Sequence, residues 1–313
     1  VCHMNKKLVV KPSGIGGQAV LEGVMMKNRD RYAVAVRKPD GEIEVEKGHC
    51  QSLRDKYFVC DLPIIRGVVT FVESLVLGMK SLTDSSKYYE DEEEENRQQM
   101  DDAAKERHEK IETTFTVILS IVLAVGIFMV LPFFISELLK SIIKSAKVLA
   151  VIEGIIRIIL FIGYVFAISF VEDIKRVFMY HGAEHKTINC VEHMLPLTVE
   201  NVRKQSREHK RCGTSFIFIV LFISIIFFIF IRVDNMWLKV LYRIVLVPVI
   251  AGVSYEFIRL AGKSENALVN ILSKPGMMLQ KLTTKEPDDS MIEVAIASVE
   301  AVFDWKKFQE DSK

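Results

Sequence analysis

Residues 115–135 read FTVILSIVLAVGIFMVLPFFI, a run of 21 positions without a charged side chain. A second uncharged run, TSFIFIVLFISIIFFIFI, occupies the 18 positions 214–231. Because a helix rises ~1.5 Å per residue, each run is about long enough to cross a hydrocarbon core of ~30 Å. Two further apolar stretches, 148–170 and 240–258, contain charges and are interpreted as two more spans. The sequence therefore predicts an α-helical polytopic membrane protein with a four-span bundle and a small cytoplasmic α+β portion.

Composition agrees with this prediction and indicates a compartment. The chain of 313 residues is 50% hydrophobic and 26% charged, so its apolar residues must be gathered into blocks. The five cysteines are odd in number and unevenly spaced, which argues against a disulfide framework and suits a reducing compartment. No apolar core follows the N-terminal lysines, so no signal peptide is expected. The cysteines are Cys2, Cys50, Cys60, Cys190 and Cys212.

Lysine and arginine are concentrated between the second and third predicted spans, where residues 171–213 hold eight of them. Cytoplasmic loops of membrane proteins are enriched in these residues. The middle segment and both termini are therefore expected in the cytoplasm, with the bundle in the plasma membrane. The eight are Lys175, Arg176, Lys186, Arg203, Lys204, Arg207, Lys210 and Arg211; Arg97, Lys105, Arg107 and Lys110 precede the first span, and Lys140, Lys144, Lys147 and Arg232 lie on the opposite side.

Four regions are expected along the chain. Residues 1–62 form a soluble N-terminal β-rich piece, and residues 63–112 form an amphipathic helix followed by an acidic linker. Residues 113–262 form the transmembrane bundle, which includes the cytoplasmic segment 172–213. Residues 263–313 form a cytoplasmic C-terminal segment with its own amphipathic helix.

The soluble regions carry recognisable local signals. Pro39-Asp40-Gly41 is a turn signal between two alternating runs and predicts a β-hairpin. Gly14–Gly17 has no strand before it and no phosphate-loop Lys-Ser/Thr after it, so we interpret it as a flexible turn. The C-terminal helix is expected to pack on the N-terminal piece through an apolar stripe of Ile292, Ile296, Val299 and Phe303.

The segment 63–82 has the length of a span but a polar face. Arg66, Glu73 and Lys80 recur every seven residues, which places them on one side of a helix. If this helix crossed the membrane, every later span would invert. It is therefore expected to lie at the membrane interface or against the bundle. The acidic run at 90–102 is interpreted as a solvated linker.

The chemistry is concentrated in residues 180–186, YHGAEHK. On a helix, His181 and His185 lie one turn apart on the same face, so both imidazoles can reach one metal ion. Glu184 lies beside them and can take a proton from a water molecule at the metal. This H-x-x-E-H order matches the inverzincin pattern and predicts a zinc site with Glu184 as the catalytic base. A continuous helix over 148–185 would place this site just beyond the cytoplasmic membrane face.

The remaining metal ligands are left open by the sequence. His209 and Cys212 form an H-x-x-C pair with metal-ligand spacing, and Glu256 is a further candidate. An open three-ligand site would favour a zinc-dependent hydrolase, with a peptidase suggested by the motif alone. A closed site of two histidines with His209 and Cys212 would favour a non-enzymatic channel, transporter or membrane-assembly factor.

Charged residues within the predicted spans add a second line of argument. Glu153 and Arg157 have i, i+4 spacing and are expected to pair, and Arg243, Glu256 and Arg259 share the fourth span. Such charges usually face a bundle interior or a wet cavity, so both a structural clamp and a polar pathway stay open. The lipid bilayer is the expected partner, assembly into a homo-oligomer stays open, and no nucleic acid is expected.

Seven distinctive stretches are distributed over nearly the whole chain. They are GGQAVLEGVMM at 16–26, RGVV at 66–69, ESLVLGM at 73–79, YHGAEHKTI at 180–188, RCGTS at 211–215, AGVSYE at 251–256 and LTTKEPDD at 282–289. Together they resemble the YqhQ family of bacterial membrane proteins. The resemblance implies a metal-dependent enzyme and supplies no substrate.

Overall fold

The computed structural model describes residues 11–89, 102–209, 211–231, 233, 235–261 and 266–311, which are mostly helical with one small antiparallel sheet. The strands are β1 Gly16–Val20, β2 Gly23–Asn28, β3 Arg31–Arg37 and β4 Ile43–His49. The helices are α1 Leu53–Lys56, α2 Ile65–Ser86, α3 Asp102–Val125, α4 Leu131–Leu138, α5 Ala146–Ile168, α6 Glu172–Glu192, α7 Val199–Arg203, α8 Gly213–Ile229, α9 Met236–Ala261, α10 Ala267–Thr283, α11 Asp289–Val302 and α12 Trp305–Glu310. Residues 90–101 of the predicted acidic linker lie outside the described residues, as do Cys2, Lys210 and Arg232.

Three helical stretches are long and apolar enough to cross a bilayer, namely Ile111–Ser141, Ala146–Ile168 and Met236–Ala261. The first joins α3 to α4 through a π-helical turn at Gly126–Val130. α8 is apolar as well, but it has only 17 residues. The described chain thus has three candidate membrane-spanning helices, and the predicted count of four is not confirmed by length and composition.

The charged side chains inside the apolar helices pair with one another. Glu153 of α5 accepts hydrogen bonds from Arg157 at 2.8 Å and from Arg243 of α9 at 2.6 Å. Arg157 also donates to Ser224 Oγ of α8 at 3.0 Å and to the carbonyl oxygen of Phe128 at 2.7 Å. All three charged residues are buried. The predicted Glu153–Arg157 pair is confirmed, and the cluster joins α5, α8, α9 and the π-helical turn.

The continuous helix expected over 148–185 is wrong, because α5 ends at Ile168 and α6 begins at Glu172. Val171 precedes α6 with an extended backbone, at φ −70° and ψ 129°. Glu172 and Asp173 occupy the first turn of α6, where the partial positive charge of the helix N-terminus favours acidic side chains. The break allows α6 to pack against the sheet rather than continue α5.

The four strands form one antiparallel sheet in the order β1-β2-β3-β4. The predicted hairpin at Pro39-Asp40-Gly41 is confirmed, with Gly41 in the left-handed region at φ +90°. The flexible turn expected at Gly14–Gly17 is wrong in its second half, because Gly16 and Gly17 begin β1. β1 was missed because two successive glycines have low strand propensity, whereas its pairing with β2 fixes them in the sheet.

The sheet lies between two helical layers. Val24 and Met26 on one face belong to a buried core that includes Tyr180 and Ala183 of α6. The same core contains the C-terminal stripe, with Ile292 and Val299 buried and Ile296 and Phe303 partly buried, so the predicted packing of that helix is confirmed. The opposite face packs on α2 through Leu77, in a cluster with Val20, Met25, Val34 and Val36.

α2 is the predicted amphipathic helix, and its three predicted polar residues each have a partner. Arg66 forms an ion pair with Glu256 of α9 at 2.5 Å, Glu73 accepts from the backbone N–H of Leu53 at 2.7 Å, and Lys80 donates to the hydroxyl of Tyr32 at 2.9 Å. An exposed apolar face on such a helix suits a position at a membrane interface. Its exposed apolar residues are Val72, Leu75, Val76, Met79 and Leu82.

Candidate metal centre

His181, His185 and Cys212 come together although 27 residues separate the last two in sequence. The two histidines lie one turn apart on α6, with ring centroids 4.4 Å apart. Cys212 precedes α8, and its Sγ lies 3.3 Å from His181 Nε2. One ligand atom from each residue lies within 4.8 Å of the others. The segment 172–213 therefore forms a compact N, N, S donor set.

Backbone carbonyl groups fix the orientation of both imidazoles. His181 Nδ1 donates to the carbonyl oxygen of Thr283 at 2.9 Å, and His185 Nδ1 donates to that of Arg207 at 2.5 Å. A carbonyl oxygen only accepts, so each Nδ1 carries a proton and Nε2 is the ring nitrogen that can face a metal. This arrangement is usual for histidines that bind a metal through Nε2.

One distance within the donor set is close to the separation expected between two ligands of a zinc ion. Zn–N distances of ~2.0 Å and a Zn–S distance of ~2.3 Å at tetrahedral angles separate nitrogen and sulfur by about 3.6 Å. The 3.3 Å between Cys212 Sγ and His181 Nε2 is close to that value. Cys212 also caps α8, since its sulfur accepts from the backbone N–H of Thr214 at 3.4 Å. Two histidines and one cysteine would leave one position of a tetrahedral metal site for water or substrate.

Glu184 lies beside this donor set and is buried, with 5% of its surface exposed. Its Oε2 is 3.8 Å from His181 Nε2. Burial raises the pKa of the Glu184 carboxyl group to about 7, although the nearby His181 opposes the shift. A carboxyl group that titrates near neutrality is suited to accept and return a proton.

Gly17 of β1 lies directly against the side chain of Glu184. A Cβ atom added at Gly17 would lie 2.7 Å from Cγ and 2.8 Å from Oε1 of Glu184. Such distances are too short for real Cβ contacts, so only glycine allows this approach of the strand. Gly17 was predicted to lie in a turn, and the Gly16-Gly17 dipeptide was the available sequence signal of a close backbone approach.

The structure places His209 and Glu256 outside the donor set. The His209 ring is 5.8 Å from that of His185, and its Nε2 faces Glu192 Oε2 at 3.3 Å. Burial lowers the pKa of His209, and the hydrogen bond and charge of Glu192 oppose that shift. Glu256 is held by Arg66 of α2. Of the three candidates for the third ligand, Cys212 is the one that meets the two histidines of α6.

Glu192 contacts both the loop that carries His209 and the residues that precede β1. The sequence did not predict this role for Glu192. It accepts hydrogen bonds from the backbone N–H and the hydroxyl of Ser13, both at 2.8 Å, and forms an ion pair with Arg211. Burial raises its pKa, but His209, Ser13 and Arg211 outweigh that effect and hold the pKa at about 2. Glu192 follows His185 by seven residues and so shares its helical face, which was the available signal.

Comparison with known proteins gives two matches. A family model described as "Protein of unknown function (DUF1385)" matches residues 62–305. The chain is also similar to "Uncharacterized protein YqhQ" of Bacillus subtilis (strain 168), with 37% identity over 290 residues that cover 92% of this chain and 91% of the relative. No solved structure matches the chain.

Proposed function

This chain belongs to the DUF1385 family, as its YqhQ-like motifs predicted, and we propose that it is a membrane-embedded, zinc-dependent hydrolase. His181, His185 and Cys212 bind the metal in this proposal, and Glu184 is the general base. The observation that carries it is the meeting of three ligand atoms within 4.8 Å of one another beside a buried carboxyl group. By analogy with its H-x-x-E-H motif alone, the hydrolase is a peptidase.

The residues of the chain have separate roles in this proposal. Zinc, when bound, supplies a Lewis acid that polarises a carbonyl group and acidifies water. Glu184 accepts the proton of the attacking water and returns it to the leaving group, which the pKa of about 7 favours. The carbonyl groups of Thr283 and Arg207 keep the two imidazoles in the ligand tautomer.

The alternative is a non-enzymatic membrane protein with a structural metal site or none. A closed site required four protein ligands, and His209 faces Glu192 instead of the donor set. The buried Glu153–Arg157–Arg243 cluster is the observation that favours a channel, transporter or membrane-assembly factor. Because the pairs in this cluster join helices, we interpret it as a structural clamp.

Replacing His181 and His185 together by Ala is expected to abolish both stoichiometric zinc and casein cleavage by the purified full-length protein, because two of three ligands are removed. His209→Gln is the matched control and should keep both, since His209 is buried nearby but contacts Glu192. Elemental analysis and a cleavage assay with and without chelator provide the measurements. Full zinc content in the double variant would place the metal elsewhere, and loss of zinc in the control would restore the closed site.

We also propose four spans in the plasma membrane with both termini in the cytoplasm. The sheet, α6 and α11 share one buried core, so they must lie on the same side of the membrane. Between α6 and α11 the chain passes through α8 and α9, and α9 is long enough to cross. A return to the same side then requires α8 to cross as well, and its 17 residues extend over about 26 Å. Basic residues of the segment 171–213 favour the cytoplasmic side.

A reporter inserted near Val199 is expected to behave as cytoplasmic, because it lies in the basic segment between two pairs of spans. A second reporter inserted in the loop between Ser141 and Ala146 should give the opposite result, since it follows one crossing. Alkaline phosphatase and fluorescent-protein fusions measured in cells distinguish the two sides. Equal signals at both positions, or an external signal near Val199, would contradict the four-span topology.

A further inference from the structure

β1 is an edge strand of the sheet and lies next to the candidate metal centre. It pairs with β2 on one side, and within the part of the chain that the structure describes no strand pairs with its other side. Exposed edges invite pairing with another chain, and proteins usually protect them with charged residues. The opposite edge, β4, follows this practice with Glu44, Glu46 and Lys47, whereas β1 reads GGQAV and has no charged side chain.

The register shows which backbone groups of β1 point away from the sheet. Val20 pairs with Gly23 across a two-residue loop, so Val20, Gln18 and Gly16 exchange hydrogen bonds with β2. The N–H and C=O groups of the alternate residues, Gly17 and Ala19, therefore point outward. The hydrogen bonds found among the described residues outside the ladder include none to these groups.

These outward groups lie beside the proposed catalytic base. Gly17 approaches Glu184 so closely that a Cβ atom would contact its side chain, and Ala19 packs against the core that includes α6. On the other face of the strand, the side chain of Gln18 packs on Gly78 of α2. Among the described residues, the unpaired edge of β1 thus lies between α6 on one face and α2 on the other, with Glu184 over the face of the strand at Gly17.

We propose that β1 binds an extended polypeptide segment of another protein as an added strand. Gly17 and Ala19 donate and accept backbone hydrogen bonds, and the bound segment runs ~4.8 Å from β1, past Glu184. The inference rests on the proposed hydrolase and names its substrate class as an extended polypeptide. Water adds to the peptide carbonyl carbon, and the C–N bond breaks. The proton accepted by Glu184 passes to the leaving amine, which leaves a carboxylate and an amine as products.

Ala19→Pro tests the edge, because proline removes the outward N–H group and is tolerated in an edge strand where that group faces away from the ladder. Lys47→Pro is the matched control, since Lys47 faces outward on β4 by the same alternation. Both are made in the full-length Glu184→Gln protein, and binding of fluorescent β-casein, an unfolded polypeptide, is measured. We expect saturable binding, weakened about tenfold or more by Ala19→Pro and unchanged by Lys47→Pro.

Hydrogen exchange of the same Glu184→Gln protein keeps the test valid if Ala19→Pro fails to fold. Casein should slow exchange of the Gly17 and Ala19 amides and leave β4 unaffected. Absence of saturable binding, or equal affinity in the two proline variants with no protection of β1, would overturn the proposal. Casein cleavage that depends on Glu184 but not on Ala19 would retain the hydrolase and remove the strand site. Binding of casein at β1 by a protein that does not cleave it with Glu184 intact would retain the strand site and remove the hydrolase.

Discussion

Glu184→Gln is expected to reduce casein cleavage by at least a hundredfold while the protein stays folded and loaded with zinc. General acid–base catalysis typically contributes 10²–10⁴-fold, and glutamine has the size of glutamate but cannot accept the proton. Glu184 is not one of the three residues of the donor set, so zinc should remain stoichiometric. Cleavage, elemental analysis and thermal unfolding of the same preparation provide the measurement.

The control for this substitution is Glu172→Gln, which changes an exposed glutamate in the first turn of the same helix. It should leave cleavage and zinc content unchanged and lower the free energy of unfolding by no more than about 1 kcal/mol. A stable, zinc-loaded Glu184→Gln protein that cleaves casein normally would remove the hydrolase hypothesis. Loss of zinc together with loss of the fold would instead indicate that Glu184 supports His181 or His185.

The sequence predicted the parts of this molecule that depend on local spacing. The uncharged run at 115–135 lies within a helix that could span a membrane, and the i, i+4 spacing of His181 and His185 brings their rings together. The Glu153–Arg157 pair was predictable for the same reason. In each case, helical periodicity alone decides which side chains are neighbours.

The parts that escaped prediction depend on tertiary contacts. His209 and Cys212 were equivalent candidates until the fold placed Glu192 against His209 and left Cys212 beside His181. No proline or glycine marks the break between α5 and α6 in the sequence. The change of direction there follows from the packing of α6 on the sheet, which is a tertiary contact. β1 could not be recognised either, since its partner strand and Glu184, 167 residues from Gly17, hold it in place.

Glu153→Gln is expected to lower the free energy of unfolding by ~3–5 kcal/mol. The carboxylate of Glu153 forms ion pairs with two buried guanidinium groups, those of Arg157 and Arg243. Removing one member of a buried ion pair leaves the other charge without compensation, which typically costs that amount. Two nitrogen atoms of Arg243, Nε and Nη1, already have no hydrogen-bond partner, although the guanidinium stacks over Phe133 at 4.6 Å. The cluster therefore has no spare acceptor to replace the lost charge.

Glu137→Gln is the matched control, because Glu137 also bridges two cations, Lys140 and Lys239, both at 3.1 Å, but is 28% exposed. Water screens such a pair, so its loss should cost no more than about 1 kcal/mol. Thermal unfolding of both variants in the same detergent separates the two environments. A difference of several kcal/mol identifies Glu153 as the centre of a dry clamp between helices. Equal stability of the two variants would mean that water reaches Glu153 at membrane depth, and a polar pathway through the bundle would then be the better interpretation.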